Sequence, residues 1–221
     1  VLAIVGLALT EVLTTSALVS DWWLNTKYPD WEEGLSDDAT VASLVYGFFA
    51  LQAFVATVFC VVTFLMFVHR ASQNAFALRG PVVPNVSPGW SVASWFIPFA
   101  NLVWPYKIMK TLLWASDPAG ESIPGDRVER ARWTFPLWWF TWLISSFAGN
   151  ASLRLTMSDD PSAAEMARTI DFVSLPFSLV CAVCAAAIVW SLHVRQEAQF
   201  SRNQRVAPAP GAFALAGSPQ F

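Results

Sequence analysis

Glu11 is the residue best placed to do chemistry. It stands eleven positions before Trp22, ~16 Å along a helix, and an indole held at the headgroup level would leave its carboxyl near the middle of a bilayer. A carboxylate at that depth is costly enough to be read as a functional site by default. Thr14, Thr15 and Leu18 share its helical face. Gln52 lies a similar distance into a second apolar run, and Ser145 and Ser146 a similar distance into a third. Asn101 reaches the same level if its segment enters the membrane and returns. Glu11, Gln52, Asn101 and Ser145 could therefore converge on one polar mid-membrane site that takes a proton or a cation. The plain alternative is a protonated glutamate, hydrogen-bonded to Gln52 or a threonine, that pins helices together.

Two other groupings carry weaker chemistry. Cys181 and Cys184 form C-x-x-C inside an apolar run, a spacing that suits redox or metal chemistry; amid alanines it suits close helix packing as well. His69 and His193 are the two histidines, and each ends an apolar run next to an arginine. Two imidazoles at one depth could ligate a b-type haem, although histidines beside Arg70 and Arg195 equally suit an interface. No other cofactor is expected, and neither a phosphate-cradling loop, a nucleophile elbow nor a metalloprotease spacing is present.

The elements that must position these groups follow from composition. Of 221 residues 55% are hydrophobic and only 13% charged, against roughly 25% charged in soluble domains. That is the composition of a membrane protein. A net charge of −3, with basic residues in no single stripe, excludes nucleic acid as a partner. Spans are expected at about 1–20, 41–68, 133–153 and 172–194, each long enough for the ~30 Å hydrocarbon core. Asp126 to Glu129 has capping-box spacing for a helix leading into the third. Residues 1–195 form one integral membrane domain, and 196–221 a tail of small residues and prolines. The sequence opens on Val1 with no cleavable signal pattern, so more chain is expected before it and the first run is read as a retained span.

Charge sets the topology. Segments 21–40 and 154–171 hold three basic and ten acidic residues, whereas 69–90, 107–132 and 195–221 hold ten basic and five acidic ones. Basic flanks belong to the cytoplasm. Both sides of Ser91–Trp114 then lie inside, so this aromatic segment is re-entrant or interfacial. Ser91 can cap a short helix, Pro98 interrupts it, and Pro105 suits the first turn of a second. Ile108, Met109, Leu112 and Leu113 would make that second helix an interfacial amphipath, with Lys107 and Lys110 at the phosphates. The rival is a five-span chain in which Ser91–Tyr106 crosses and the last tail is outside.

The stretch WFIPFANLVWPYKIMKTLLW, with Trp95, Pro98, Asn101, Pro105 and Tyr106 in this spacing, resembles the signature of the bacterial multi-pass membrane family catalogued as domain of unknown function 4328. The likeness runs from about Val41 to Val194. It departs from the pattern at Trp104, where a basic residue is common, which removes any charge-based role there. It implies an inner-membrane helical fold and no activity.

The expected architecture is an all-α polytopic bundle of four spans, both termini cytoplasmic, with a re-entrant or interfacial proline-broken hairpin. The leading function is a non-enzymatic component that binds lipid or partner proteins, an accessory subunit of a larger membrane complex. The alternatives are a small transporter or proton- or ion-conducting element built on Glu11, and a b-haem or quinone electron-transfer protein.

Overall fold

The computed structural model describes residues 1–28, 37–79, 87–116, 133–158 and 160–206. The acidic loop at 29–36, Gly80 and Pro81 after the second long helix, the capping-box residues at 126–129 and the chain beyond 206 lie outside the described residues. Among those described, the elements are all helical: α1 (Leu2–Lys27), α2 (Asp37–Arg79), α3 (Pro88–Ala93), a single 3-10 turn (Ala100–Leu102), α4 (Trp104–Ala115), α5 (Thr134–Thr156) and α6 (Pro161–Val206).

Three of them, α1, α2 and α6, contain stretches long and apolar enough to cross a membrane. At ~1.5 Å per residue, α5 with its 23 residues also has the length. Its indoles, serines and asparagine leave it outside the set of three. Most of the large apolar side chains of α1 and α2 are exposed, among them Val12, Leu44, Leu51 and Phe54, as lipid-facing helices require and as an aqueous surface would penalise.

Side-chain pairings fix the directions. Asp21 meets Arg168 and Glu11 meets Ser178, so α1 and α6 are antiparallel and in constant register. Ser152 of α5 reaches Asp171 of α6, while Trp138 lines a cavity with Cys181 and Ala185; α5 is likewise antiparallel to α6. The Thr10 hydroxyl reaches the carbonyls of both Gly6, at 2.9 Å, and Ala56, at 3.1 Å, and with Gly6 lying against Cys60 these pairings set α1 antiparallel to α2. The α1 and α2 backbones approach closely at Gly6, where a Cβ would stand 3.0 Å from Cys60 Cα. Small residues permit this backbone proximity where apolar lipid offers helices no hydrophobic drive to associate.

Several boundaries differ from expectation. The polar connection expected over 154–168 shrinks to the turn between Thr156 and Pro161, because Asp160 caps α6 through the Ser162 N–H at 2.9 Å and Pro161 takes the first helical position, where its missing donor costs nothing. Helix α6 continues to Val206, well past the expected end of the span. The short helix before the hairpin is capped by Ser87, which accepts from Trp90 N, and not by Ser91. Ser91 is buried one turn in, its hydroxyl donating to Pro88 O at 2.7 Å.

The core sits at one end of the bundle. Val68 and Ala71 of α2, Ile108 and Leu112 of α4, Trp138 of α5 and Ile188 of α6 belong to one buried cluster. The amphipathic period of α4 is therefore as expected, but its apolar face packs on protein: Ile108, Met109 and Leu112 are each at most 2% exposed.

Candidate functional site

Two groups of polar side chains occur where a membrane-type bundle has to account for them. The first is a file along the α1–α6 seam. Glu11, Thr14, Leu18, Asp21 and Asn25 recur every three or four residues and so share one face of α1; Arg168, Asp171 and Ser178 do the same on α6. At the deep level, Ser178 Oγ is 3.0 Å from Glu11 Oε2 and 2.9 Å from Leu175 O. A hydroxyl has one proton to give. If Glu11 is ionised, Ser178 donates to it; if Glu11 is protonated, it donates to Ser178, whose own proton turns to Leu175. Both states of the carboxyl are thus hydrogen-bonded without any helix moving.

Ten residues outward, ~15 Å along the helices, Arg168 Nε pairs with Asp21 Oδ2 at 3.3 Å. Asn25 donates to Asp21 Oδ1 at 3.1 Å, and Ser152 donates to Asp171 Oδ2 at 2.9 Å. Between these two levels a cavity of about 390 Å³ is lined by Thr14, Asp21, Tyr46, Thr156, Arg168 and Asp171, among others. Its inner lining residue Thr14 is one helical turn from Glu11.

Of the residues expected to converge, Glu11, Gln52, Asn101 and Ser145, no two share a described contact. Ser145 falls at the height of Ser178 by the α5–α6 register, and its Oγ is buried with no hydrogen-bond partner among the described residues. Gln52 lines an apolar recess with Leu9, Leu13, Val55 and Phe59. Leu9 and Leu13 are each two positions from Glu11, ~200° round the helix, so Gln52 meets a different face of α1. Asn101 has no described contact with Glu11; its Oδ1 is buried and unpartnered. Ser178, Arg168 and Tyr46 were not anticipated. The three-and-four spacing from Glu11 to Asn25 was the available signal.

The second group is the hairpin. Its ends sit at the same level: His69 Nδ1 is 3.1 Å from Pro88 O, and Gln196 Nε2 donates to Ala71 O at 2.9 Å and Ser116 Oγ at 3.2 Å. Between them, Trp95 stands edge-on to Phe64 and Trp142. The reversal is made at Phe99, whose φ of 62° is the one positive value among the described non-glycine residues. Ala100 N donates to Pro98 O at 2.7 Å, closing a γ-turn of the strained, positive-φ kind. Pro105 lies fully buried in the first turn of α4, and Tyr106 meets Phe135 and Trp139. Trp104 stacks edge-on to Trp90 and carries Lys107 over its ring, so the position that lacks the basic residue is filled by aromatic packing.

The remaining candidates are dispersed. Cys60, Cys181 and Cys184 are free thiols, and Cys60 and Cys181 line an aromatic cavity of about 290 Å³ with Trp95, Trp138 and Trp142. His193 Nε2 is 3.4 Å from Glu197 and shares no described contact with His69. No group of three or more His, Cys, Asp or Glu among the described residues could hold a metal ion. No curated protein and no solved structure matches the chain. A family model described as Domain of unknown function (DUF4328) matches residues 32–197.

Proposed function

This chain belongs to the DUF4328 family, and from that premise we propose a non-enzymatic membrane protein that crosses the bilayer four times and uses the α1–α6 file to take up a proton or small cation. The fourth crossing is α5, supported by its antiparallel run along α6. The hairpin at 87–116 enters from the cytoplasmic side and returns. That topology rests on the shared level of its two ends and on the basic flanks around it; it leaves both termini in the cytoplasm. Cysteines introduced at Arg79 and Asp117 are expected to label from one side only, and labelling from opposite sides would refute the hairpin.

One observation carries the activity: the Glu11 carboxyl has a hydroxyl partner that serves it in either protonation state, one turn from a polar cavity. Such a group can exchange a proton without rearranging the bundle. Reconstituted full-length protein is expected to dissipate an imposed pH gradient across liposomes, and Glu11→Gln to abolish this while Glu11→Asp retains part of it. A parent that carries no flux, or a Glu11→Gln protein that equals it, overturns the reading.

A second reading, an accessory subunit bound to lipid and partner proteins, is favoured by aromatic side chains around the hairpin. Phe96 is 68% exposed, Phe99 85% and Trp133 78%, and large rigid rings are the usual anchors of interfaces. Isolation from native membranes tests it: constant companions identified by mass spectrometry support it, and a chain that always isolates alone speaks against it.

A further inference from the structure

We propose that the cavity between the outer ends of α1 and α6 is a binding site for a small organic cation, a primary or substituted alkylammonium. Its charges do not balance. Among the described residues that line it, two carboxylates, Asp21 and Asp171, stand against one guanidinium, Arg168, which pairs with Asp21 at 3.3 Å. Asp171 is held by the Ser152 hydroxyl at 2.9 Å and forms no ion pair among the described residues. A half-buried carboxylate at the wall of a cavity is favoured by a countercharge, and one more cation completes the set. An anionic ligand would meet two carboxylates against one guanidinium.

Size and lining select the kind of cation. Four alanines, Ala17, Ala50, Ala164 and Ala167, stand where larger side chains would fill the space, and they leave a cavity of about 390 Å³. A bare inorganic cation wants six or more oxygens at close range, and no acidic cluster of that kind is present among the described residues. An alkylammonium needs less: an acceptor or two for its N–H groups and apolar wall for its methylenes. Tyr46 lines the same cavity, adding an aromatic ring of the sort that favours organic cations. The site is distinct from Glu11, and binding at it does not require that Glu11 exchange a proton.

The test uses the full chain in nanodiscs of zwitterionic lipid, titrated calorimetrically with n-butylammonium chloride, with sodium chloride and with 1-butanol. Saturable binding of butylammonium alone is expected. Asp171→Asn should weaken it by about tenfold or more, the worth of one charge-assisted contact; Ala50→Leu, which fills the cavity, should abolish it; Asp171→Glu and Glu11→Gln should leave it largely intact. If Asp171→Asn does not fold, Ala50→Leu decides. Equal responses to sodium and butylammonium would reduce the effect to ionic screening. Equal binding of butanol would reduce it to partitioning, and unchanged binding in Ala50→Leu would put it elsewhere. Each of these three results overturns the proposal. Loss of proton flux in Glu11→Gln with butylammonium binding intact would separate the two sites.

Discussion

The two ends of the bundle are built on opposite terms. At the hairpin end, α2, α4, α5 and α6 bury a continuous apolar cluster, with Val68, Leu112 and Leu192 fully out of solvent. Its polar contacts there are mostly capping or tying ones, such as Gln196 to Ala71. At the acidic end the helices are held by an ion pair and a hydroxyl around an open cavity. Both ends keep a cavity, but of different chemistry: at the hairpin end an apolar and aromatic one lies against Trp95, Trp138 and Trp142, whereas at the acidic end charged side chains and alanines line it. A membrane protein gains little from a hole it could fill with a leucine, since packing is the main force between helices in lipid. A charged ligand of the kind proposed would therefore find its partners at the acidic end, while the hairpin end offers mainly apolar wall.

The sharpest way to break this comparison is at Trp138, 2% exposed and in ring contact with Trp95, Phe135 and Trp139. Trp138→Ala is expected to cost ~3–5 kcal/mol, the range for large buried aromatics, measured by reversible unfolding in detergent. Amide exchange should show the loss over 87–116 and the first turns of α5, and little change at Ser162–Asp171. Equal loss of protection at both ends would mean that the bundle is one cooperative unit and that the contrast has no energetic content.

Arg168→Met attacks the other end. It leaves the Asp21 side chain, 12% exposed, without its cation. Breaking a buried pair costs ~3–5 kcal/mol and a surface pair ~1 or less. With Arg168 itself 33% exposed, about 2 kcal/mol is expected. Adding Asp21→Asn should recover part of this, because the uncompensated charge is then gone. A double variant that loses the sum of its parts would show that Asp21 and Arg168 do not act as a pair.

What could be read from the sequence divides along a physical line. Relative height along the bundle was legible: a fixed rise per residue puts Glu11, Ser145 and Gln52 at comparable heights, and the α1–α6 and α5–α6 registers bring Glu11 and Ser145 level with Ser178. Azimuth was not. Which way Gln52 faces depends on how α2 lies against α1, and it shares a recess with Leu9 and Leu13. The break in the proline-split segment was legible through Pro98 and Pro105, but the γ-turn at Phe99 was not, because nothing about phenylalanine favours positive φ. Ser178 hid for a different reason. One serine in an apolar run carries no signal until the helix opposite supplies a carboxylate.

The Asp160–Pro161 start of α6 could have been read and tests the smallest effect. Asp160 accepts from both the backbone N–H and the hydroxyl of Ser162, each at 2.9 Å, and these bonds hold its carboxyl below the ordinary aspartate range, the backbone N–H contributing most. A carboxyl lowered on folding adds stability that is fully present above its unfolded value of ~3.9 and is lost as pH falls through the lower folded value. Asp160→Ala should therefore fray the first turn of α6 at pH 7, seen as faster amide exchange at Ser162 and Ala163, and the difference from the parent should vanish in acid. Asp160→Asn keeps an acceptor at the cap and should remove the pH dependence while preserving most of the protection. Fraying confined to that turn would leave the Arg168–Asp21 pair, two turns further along, intact. Fraying that spreads to Arg168 and weakens butylammonium binding would instead make the cap part of the cavity wall, tying the acidic end to the short turn that joins α5 to α6.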